Sequence, residues 1–288
     1  MVLDRLKSLS RSLSAVRPPA SAMGEALNNR LAAAQSAGRR VMCNLGCGTR
    51  HHPDWINVDF VGDGVHVLAW DLRYGLPLPD QSCDVVYSSH IIEHFDRAGA
   101  RQFLCDCRRL LKPAGIVRVV APDLEGLARS YLSRLAAARR GEPDAAAQYE
   151  WSVIELIDQM VRHRSGGEML EHWCLPEVPA EEFVAERVGT EYWQARQHCK
   201  GRKPSRARLE ARGVGRFRLG GEVHQWMYDS YSLSRLLTTT GFIDVRSCAA
   251  EESRIEDFAS FLLDSLPDGA TYKPDSFFME AVAPAARS

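Results

Sequence analysis

The sequence predicts an α/β protein built on a doubly wound, parallel sheet. Short runs rich in Val and Ile alternate with a segment of helical spacing, and each run is bounded by Gly, Pro or Asp. A glycine-rich turn follows the first of these runs. Strands that alternate with helices are typical of a parallel sheet covered by helices. A length of 288 residues allows one elaborated domain or two small ones.

Composition excludes several classes of protein. The chain is 45% hydrophobic and 25% charged with a net charge of −1, which excludes bulk disorder and provides no overall field toward nucleic acid. No apolar run approaches the roughly 18 residues that a membrane-spanning helix needs, and the first residues do not resemble a secretory signal. The eight cysteines are scattered, so reduced thiols and a cytoplasmic location are expected.

Five strand-like runs and one helix are predicted between residues 41 and 123. The runs are short, rich in β-branched residues and bounded by turn residues. They are Val41–Leu45, Ile56–Phe60, Val65–Trp70, Asp84–Ser89 and Gly115–Ala121. The helix covers residues 98–111. After residue 224 the pattern resumes with a helix over 230–240 and strands over 242–248 and 276–282.

Two segments lie outside this pattern. Residues 1–40 form a basic leader with seven positive and two negative side chains, which we interpret as partly helical. The alternative is a weak contact of residues 1–17 with a membrane surface, because basic amphipathic stretches favour anionic lipid. Residues 124–223 predict a mainly helical insertion that serves as a lid or a substrate-binding element. Its stretch 196–218 has nine positive side chains and one negative, and is either a solvated loop or a contact for a phosphate-bearing acceptor.

The turn after the first run predicts a ligand site. Asn44 is followed by Gly46, Cys47 and Gly48, and glycines there let backbone N–H groups approach a ligand. Asp59 follows Gly46 by only 13 positions, whereas a dinucleotide-binding unit needs about 20 and a full helix. The spacing therefore favours a phosphate-free nucleoside with a positively charged tail.

Acidic residues end the next two runs. Asp59 ends the second run, where a carboxylate can accept both hydroxyls of a ribose. Asp71 ends the third, where a polar group can read an adenine edge and Leu72 can flank the ring.

Several motifs in order resemble the class I S-adenosylmethionine (SAM)-dependent methyltransferases. They are Asn44–Gly48, Asn57–Asp59, Trp70–Leu72, Asp84–Ser89, Ile92–His94 and Leu110–Gly115. The resemblance covers residues 40–123 and 224–283, and implies a Rossmann-like sheet of seven strands with a reversed final strand. It implies that Gly46 and Gly48 lie under the methionine part of SAM, that Asp59 holds the ribose, and that Asp71 and Leu72 hold the adenine. Asn44, Cys47 and Ser88 complete the expected cofactor set, although the family usually has an acid where Asn44 stands.

The string from His90 to His94 follows the fourth run and predicts the start of a helix. Two histidines four positions apart would share one helical face, with Glu93 beside them. A zinc-protease interpretation is rejected, because that motif needs a long active-site helix. Three hypotheses remain: Glu93 and His94 fix the sheet edge, His90 or His94 is the general base for an acceptor hydroxyl, or the three residues bind Mn²⁺ or Zn²⁺. We assign His90 and His94 as catalytic and assign no metal ligand.

Two segments in the last forty residues of the chain indicate the class of acceptor. Residues 251–255 and 273–280 look like those of bacterial methyltransferases associated with cell-surface polysaccharide synthesis. This resemblance implies O-methylation of a sugar or glycan precursor. The alternatives are an RNA methyltransferase and a non-catalytic binding or regulatory module with the same fold. Trp226 and Tyr228 either line an acceptor pocket or pack at a helix start.

Overall fold

The computed structural model describes residues 20–200 and 210–285. The predicted membrane-surface contact of residues 1–17 and the centre of the basic stretch, 201–209, lie outside the described residues. The described chain forms two compact units. The sheet unit contains residues 20–122, 228–270 and 277–285, and the helical unit contains residues 123–200, 210–227 and 271–276.

The sheet has seven strands in the order β3-β2-β1-β4-β5-β7-β6. Their bounds are β1 Met42–Leu45, β2 Ile56–Asp59, β3 Val67–Ala69, β4 Cys83–Ser89, β5 Leu111–Pro122, β6 Ile243–Cys248 and β7 Ser276–Val282. The pairings among β1 to β5 are parallel, and β6 pairs with β7 in the antiparallel sense. This order confirms the predicted seven-stranded α/β fold with a reversed final strand.

Strand β1 lies at the point where the strand order changes direction. From β1 the chain adds β2 and β3 on one side, and β4 and β5 on the other. Leu45 pairs with Val58 of β2 and with Ser88 of β4, so the ends of three strands meet at one edge. Open α/β sheets bind ligands in the crevice at such a switch point.

Nine α-helices occur in the described residues. They are α1 Ala20–Ser36, α2 Arg97–Leu110, α3 Leu124–Arg139, α4 Ala145–Val161, α5 Gly167–Trp173, α6 Glu181–Val188, α7 Thr190–Cys199, α8 Ala211–Arg218 and α9 Ser230–Thr239. The helices α3 to α8 form the helical insertion between β5 and β6, as predicted. Within these described ranges, every helix is too short or too polar to cross a lipid bilayer.

One face of the sheet is covered by α1, α2 and α9. Helix α1 buries Met23, Leu27, Leu31 and Ala34, which recur every three or four residues and join the same core as the strands. Residues 20–36 of the predicted leader are therefore part of the core of the sheet unit. Helix α2 begins after Asp96, whose carboxylate accepts the Gly99 N–H at 2.7 Å.

In the described part of the sheet unit, mostly irregular chain packs on the opposite face of the sheet. Residues 249–270, which we name the covering segment, contain one short 3₁₀ turn at Phe258–Phe261. Its buried Ile255, Phe258 and Leu263 pack with Trp55 and Tyr87 in a second core cluster. The covering segment thus removes from water an apolar face that a parallel sheet cannot leave exposed.

A buried arginine on β5 anchors both ends of the covering segment. Arg118 is fully buried and donates to the Asp264 carboxylate and to the Glu252 carbonyl, each at 2.8 Å. It also donates to Glu280 of β7 at 2.9 Å. Burial raises the pKa of the Asp264 carboxyl, and the Arg118 charge opposes that rise.

The helical unit has its own core. Trp151, Trp173 and Tyr192 form its centre. The ring centroid of Trp173 lies 6.2 Å from that of Trp151 and 6.1 Å from that of Tyr192. On α4 the buried Asp158 accepts the Arg162 guanidinium at 2.6 Å and the Glu168 N–H at 2.7 Å. These contacts fix α5 against α4.

Candidate cofactor site

The glycine turn wraps around the end of β2. Gly46 and Cys47 both donate their N–H groups to the Val58 carbonyl, at 2.7 and 3.2 Å. Gly46 and Gly48 have φ values of 71° and 53°, a region that side chains rarely adopt. The glycines predicted from the sequence are therefore required by the backbone path.

Asp59 lies beside this turn at the end of β2. Its Oδ2 accepts the Gly48 N–H at 2.8 Å, and its Oδ1 accepts the Val61 N–H at 3.2 Å. The side chain is buried. The sheet therefore brings together the loop and the acid that the sequence assigns to one site.

Asn44 lies fully buried at the base of the turn. Its amide Nδ2 donates to the Arg50 carbonyl at 2.9 Å and to Asn57 Oδ1 at 3.3 Å. Among the described residues, its Oδ1 has no hydrogen-bond partner. A buried acceptor without a donor costs about 1–3 kcal/mol, so this oxygen fits a ligand that supplies an N–H group, such as the ammonium of SAM.

Asp71 follows β3 and is engaged locally. Both of its carboxylate oxygens accept the Arg73 side chain, at 2.9 and 2.7 Å, and Oδ1 also caps the 3₁₀ turn Leu72–Tyr74. Leu72 is partly buried against the core. The predicted adenine contact thus requires Asp71 to share its oxygens with Arg73, and it stays a prediction.

The chain turns sharply at the end of β4. Ser88 is buried in the strand, between Leu45 of β1 and Val119 of β5. His90 has a φ of 54°, which is strained for a residue with a side chain. Its N–H donates to the Val120 carbonyl at 2.9 Å, and the next residue, Ile91, is directed onto the glycine turn.

The predicted helical face of His90 and His94 is wrong. Only a 3₁₀ turn forms, at Ile92–His94, and α2 begins at Arg97 behind its cap Asp96. The positive φ of His90 prevents a helix from starting there.

The side chains of this turn are nevertheless close together. His90 Nδ1 lies 3.5 Å from Oε1 of the fully buried Glu93. Glu93 and His94 offer ligand atoms within 4.8 Å of each other. The general-base and metal hypotheses for these residues both stay predictions.

Sequence reasoning missed the covering segment and the residues that hold it. Arg118 interrupts the apolar run Gly115–Ala121, and a charged residue in a buried strand signals a buried partner. Tyr87 donates its hydroxyl to Asp264 at 2.5 Å, and burial raises the pKa of this tyrosine well above its usual range.

Comparisons with known proteins bear on the sheet unit. Residues 55–119 match the family described as a methyltransferase domain. A Mycolicibacterium smegmatis protein, named a probable S-adenosylmethionine-dependent methyltransferase, is 38% identical over 105 residues. This match covers 30% of the chain and 39% of the relative, so the chain spans about two fifths of the length of that relative.

Solved structures resemble the chain at low identity. A SAM-dependent methyltransferase from Thermotoga maritima, described as a possible histamine N-methyltransferase, is 14% identical, with 88% of this chain and 87% of that chain covered and a TM-score of 0.39. A SAM-dependent methyltransferase from Archaeoglobus fulgidus is 15% identical, with 90% and 94% covered and a TM-score of 0.38. The family match over residues 55–119 lies within the sheet unit.

Proposed function

We propose that this chain, which carries a class I SAM-dependent methyltransferase domain, transfers a methyl group to a hydroxyl of a sugar or a surface-polysaccharide precursor. One observation carries the proposal of methyl transfer. The glycine turn and Asp59 meet through the Gly48 N–H, at the edge where β1 lies between β2 and β4.

The residues around this edge fit the parts of the cofactor. Gly46, Cys47 and Gly48 would hold the methionine part, and Asn44 Oδ1 would accept its ammonium in place of the usual carboxylate. Asp59 would accept the ribose hydroxyls. Asp71, Leu72 and Ser88 complete the site around the adenine and at the end of β4.

The reaction needs little from the protein beyond position and one proton acceptor. When bound, SAM would supply a methyl group on a positively charged sulfur. The acceptor oxygen would take this methyl group, and the sulfur would leave as a neutral thioether. The chain's contribution is to hold the acceptor close to that carbon and to exclude water.

A hydroxyl acceptor must also lose its proton. His90 is the favoured base of the two histidines, because it directly follows β4 and Glu93 lies 3.5 Å from its Nδ1. With Nδ1 beside the Glu93 carboxylate, Nε2 would be the atom that takes the proton of the acceptor hydroxyl. His94 is the second candidate for this role.

The sugar acceptor is supported by resemblance. In the structure, Ser253 donates its hydroxyl to Glu280, and Arg254 donates its N–H to the same carboxylate at 3.0 Å. The residues that resemble polysaccharide-associated methyltransferases thus build the covering segment and its anchor. From the resemblance of these residues we infer a related acceptor.

RNA is the second candidate acceptor. Arg212 and Arg216 are exposed on α8, and they continue the basic stretch that begins at Arg196. Salt-dependent binding of RNA that is lost on neutralising these arginines would favour this acceptor.

The experiment is methyl transfer from SAM with a labelled methyl group to a panel of nucleotide sugars, lipid-linked sugars and RNA. We expect label in a sugar-bearing acceptor, and a loss of about 10²–10⁴-fold in rate for His90→Gln. His66→Gln, in an exposed histidine just before β3, is the matched control and should keep the rate of the unchanged chain. Label in RNA alone would replace the sugar proposal, and SAM binding without transfer to any acceptor would favour a non-catalytic module.

A further inference from the structure

The crossover from β1 to β2 lacks the helix that normally supports a glycine turn. Residues 46–55 make the whole connection and contain no helix, whereas parallel strands usually need a crossover of about a dozen residues or more, mostly helical. The turn must therefore be held by something else.

The covering segment lies on the sheet face beside this short crossover. Trp55, the last residue of the crossover, packs edge to face on Phe261 with ring centroids 5.4 Å apart. His52 packs on the same ring at 5.0 Å. The crossover therefore rests on the covering segment.

Arg50 connects the glycine turn to the covering segment. Its N–H donates to the Cys47 carbonyl at 2.9 Å, and its own carbonyl accepts the Asn44 side chain at 2.9 Å. Its guanidinium donates to the Ser265 carbonyl at 2.7 Å. The backbone of Arg50 is thus part of the turn, while its side chain reaches a residue 215 positions away.

The far end of this connection is rigid. Ser265 follows Asp264, whose carboxylate accepts the Arg118 guanidinium at 2.8 Å and the Tyr87 hydroxyl at 2.5 Å. Both partners belong to central strands of the sheet, β5 and β4. The Ser265 carbonyl therefore offers a fixed acceptor for a charged donor, and such bonds are about twice as strong as neutral ones.

We propose that Arg50 is a positioning residue for cofactor binding. By tying the crossover to the covering segment, it keeps the turn at Gly46–Gly48 in the conformation that receives SAM. It acts through Asn44 and Cys47. The inference rests on the proposed function, because it concerns affinity for the same cofactor.

The test uses the full chain and two measurements. Calorimetry measures the affinity for S-adenosylhomocysteine, and hydrogen exchange without ligand measures the protection of amides 44–50. The variants are Arg50→Ala and Arg50→Lys. The control is Arg101→Ala, which removes a guanidinium that donates to the Thr239 carbonyl at 3.2 Å, away from the turn.

For Arg50→Ala we expect about tenfold weaker binding and faster exchange confined to residues 44–50. Arg50→Lys keeps a donor and should retain most of the affinity and most of the amide protection. Arg101→Ala should change neither the affinity nor the protection. Wild-type affinity and exchange in Arg50→Ala overturn the inference. A uniform rise of exchange across the sheet unit also overturns it, because that result shows a merely structural role. A loss of binding in both Arg50 variants with unchanged exchange overturns it as well, because the guanidinium would then contact the cofactor directly. If the unchanged chain does not bind, the proposed function fails, and exchange alone still decides the role of Arg50.

Discussion

At Gly46 two constraints coincide. A Cβ placed there would lie 1.9 Å from Cδ1 of Ile91, and the backbone has a φ of 71°. The glycine is thus required by its conformation and by the close approach of the chain that leaves β4. The sequence predicts the glycine, because it follows a strand-like run, but it does not predict Ile91, because only the strained turn at His90 brings that side chain over the loop.

Gly46→Ala should lower the free energy of unfolding by about 2–4 kcal/mol, since overpacking costs about 1–3 kcal/mol beyond the strain of the backbone. Urea denaturation measures it. Gly38→Ala is the matched control, because its φ is 63° and nothing lies within 4 Å of the added Cβ. Adding Ile91→Ala to Gly46→Ala should recover part of the loss, and a loss in Gly38→Ala as large as in Gly46→Ala would show that Ile91 is irrelevant.

At the scale of the element, the missing crossover helix is predictable and its replacement is not. The 13-position separation of Gly46 and Asp59 leaves no room for a helix, and none forms. The covering segment has no periodic apolar pattern, because it is mostly irregular and depends on Arg118, which is distant in sequence. The helix expected at His90 does not form there, because His90 has a positive φ and the helix begins only after its cap, Asp96.

The anchor of the covering segment should be a large stability element. Arg118→Met removes the buried positive charge that faces both Asp264 and Glu280, and breaking a buried ion pair costs about 3–5 kcal/mol. Tyr87→Phe removes one bond to Asp264 and should cost about 1.5–3 kcal/mol. Denaturant unfolding measures both.

Arg129→Ala serves as the control for the anchor. Arg129 pairs with Glu125 on the exposed side of α3, where an ion pair contributes about 0.3–0.5 kcal/mol. An Arg118→Met variant as stable as Arg129→Ala would refute the role of the anchor.

For the molecule as a whole, the resemblance of the motifs predicts the seven-stranded sheet with its reversed final strand, but the sequence does not predict the pH dependence of stability. Glu155 is buried on α4 with Arg187 at 3.0 Å, and this pairing is visible only in the folded helical unit. Burial raises the pKa of Glu155 from 4.5 to about 7, although Arg187 opposes the rise. Between these two pH values the folded chain holds a proton on Glu155 that the unfolded chain has lost. Stability from this group therefore falls as the pH rises from about 4.5 to about 7.

Glu155→Gln removes this titration. Between pH 4.5 and pH 8, the unfolding free energy of Glu155→Gln should rise by roughly 3 kcal/mol relative to that of the unchanged chain. Denaturation at a series of pH values measures this difference, in which the other titrating groups cancel. Glu150→Gln, at an exposed position of the same helix, should show no such trend. A constant difference for Glu155→Gln would contradict the assignment.

Calorimetric titration with S-adenosylhomocysteine measures whether the glycine turn and Asp59 hold SAM. We expect saturable binding at one site, weakened at least about tenfold in Asp59→Asn. Asp80→Asn, in an exposed carboxylate that pairs with Arg109, should bind as the unchanged chain does. Absence of binding to the unchanged chain, or equal affinity in Asp59→Asn, would contradict the account.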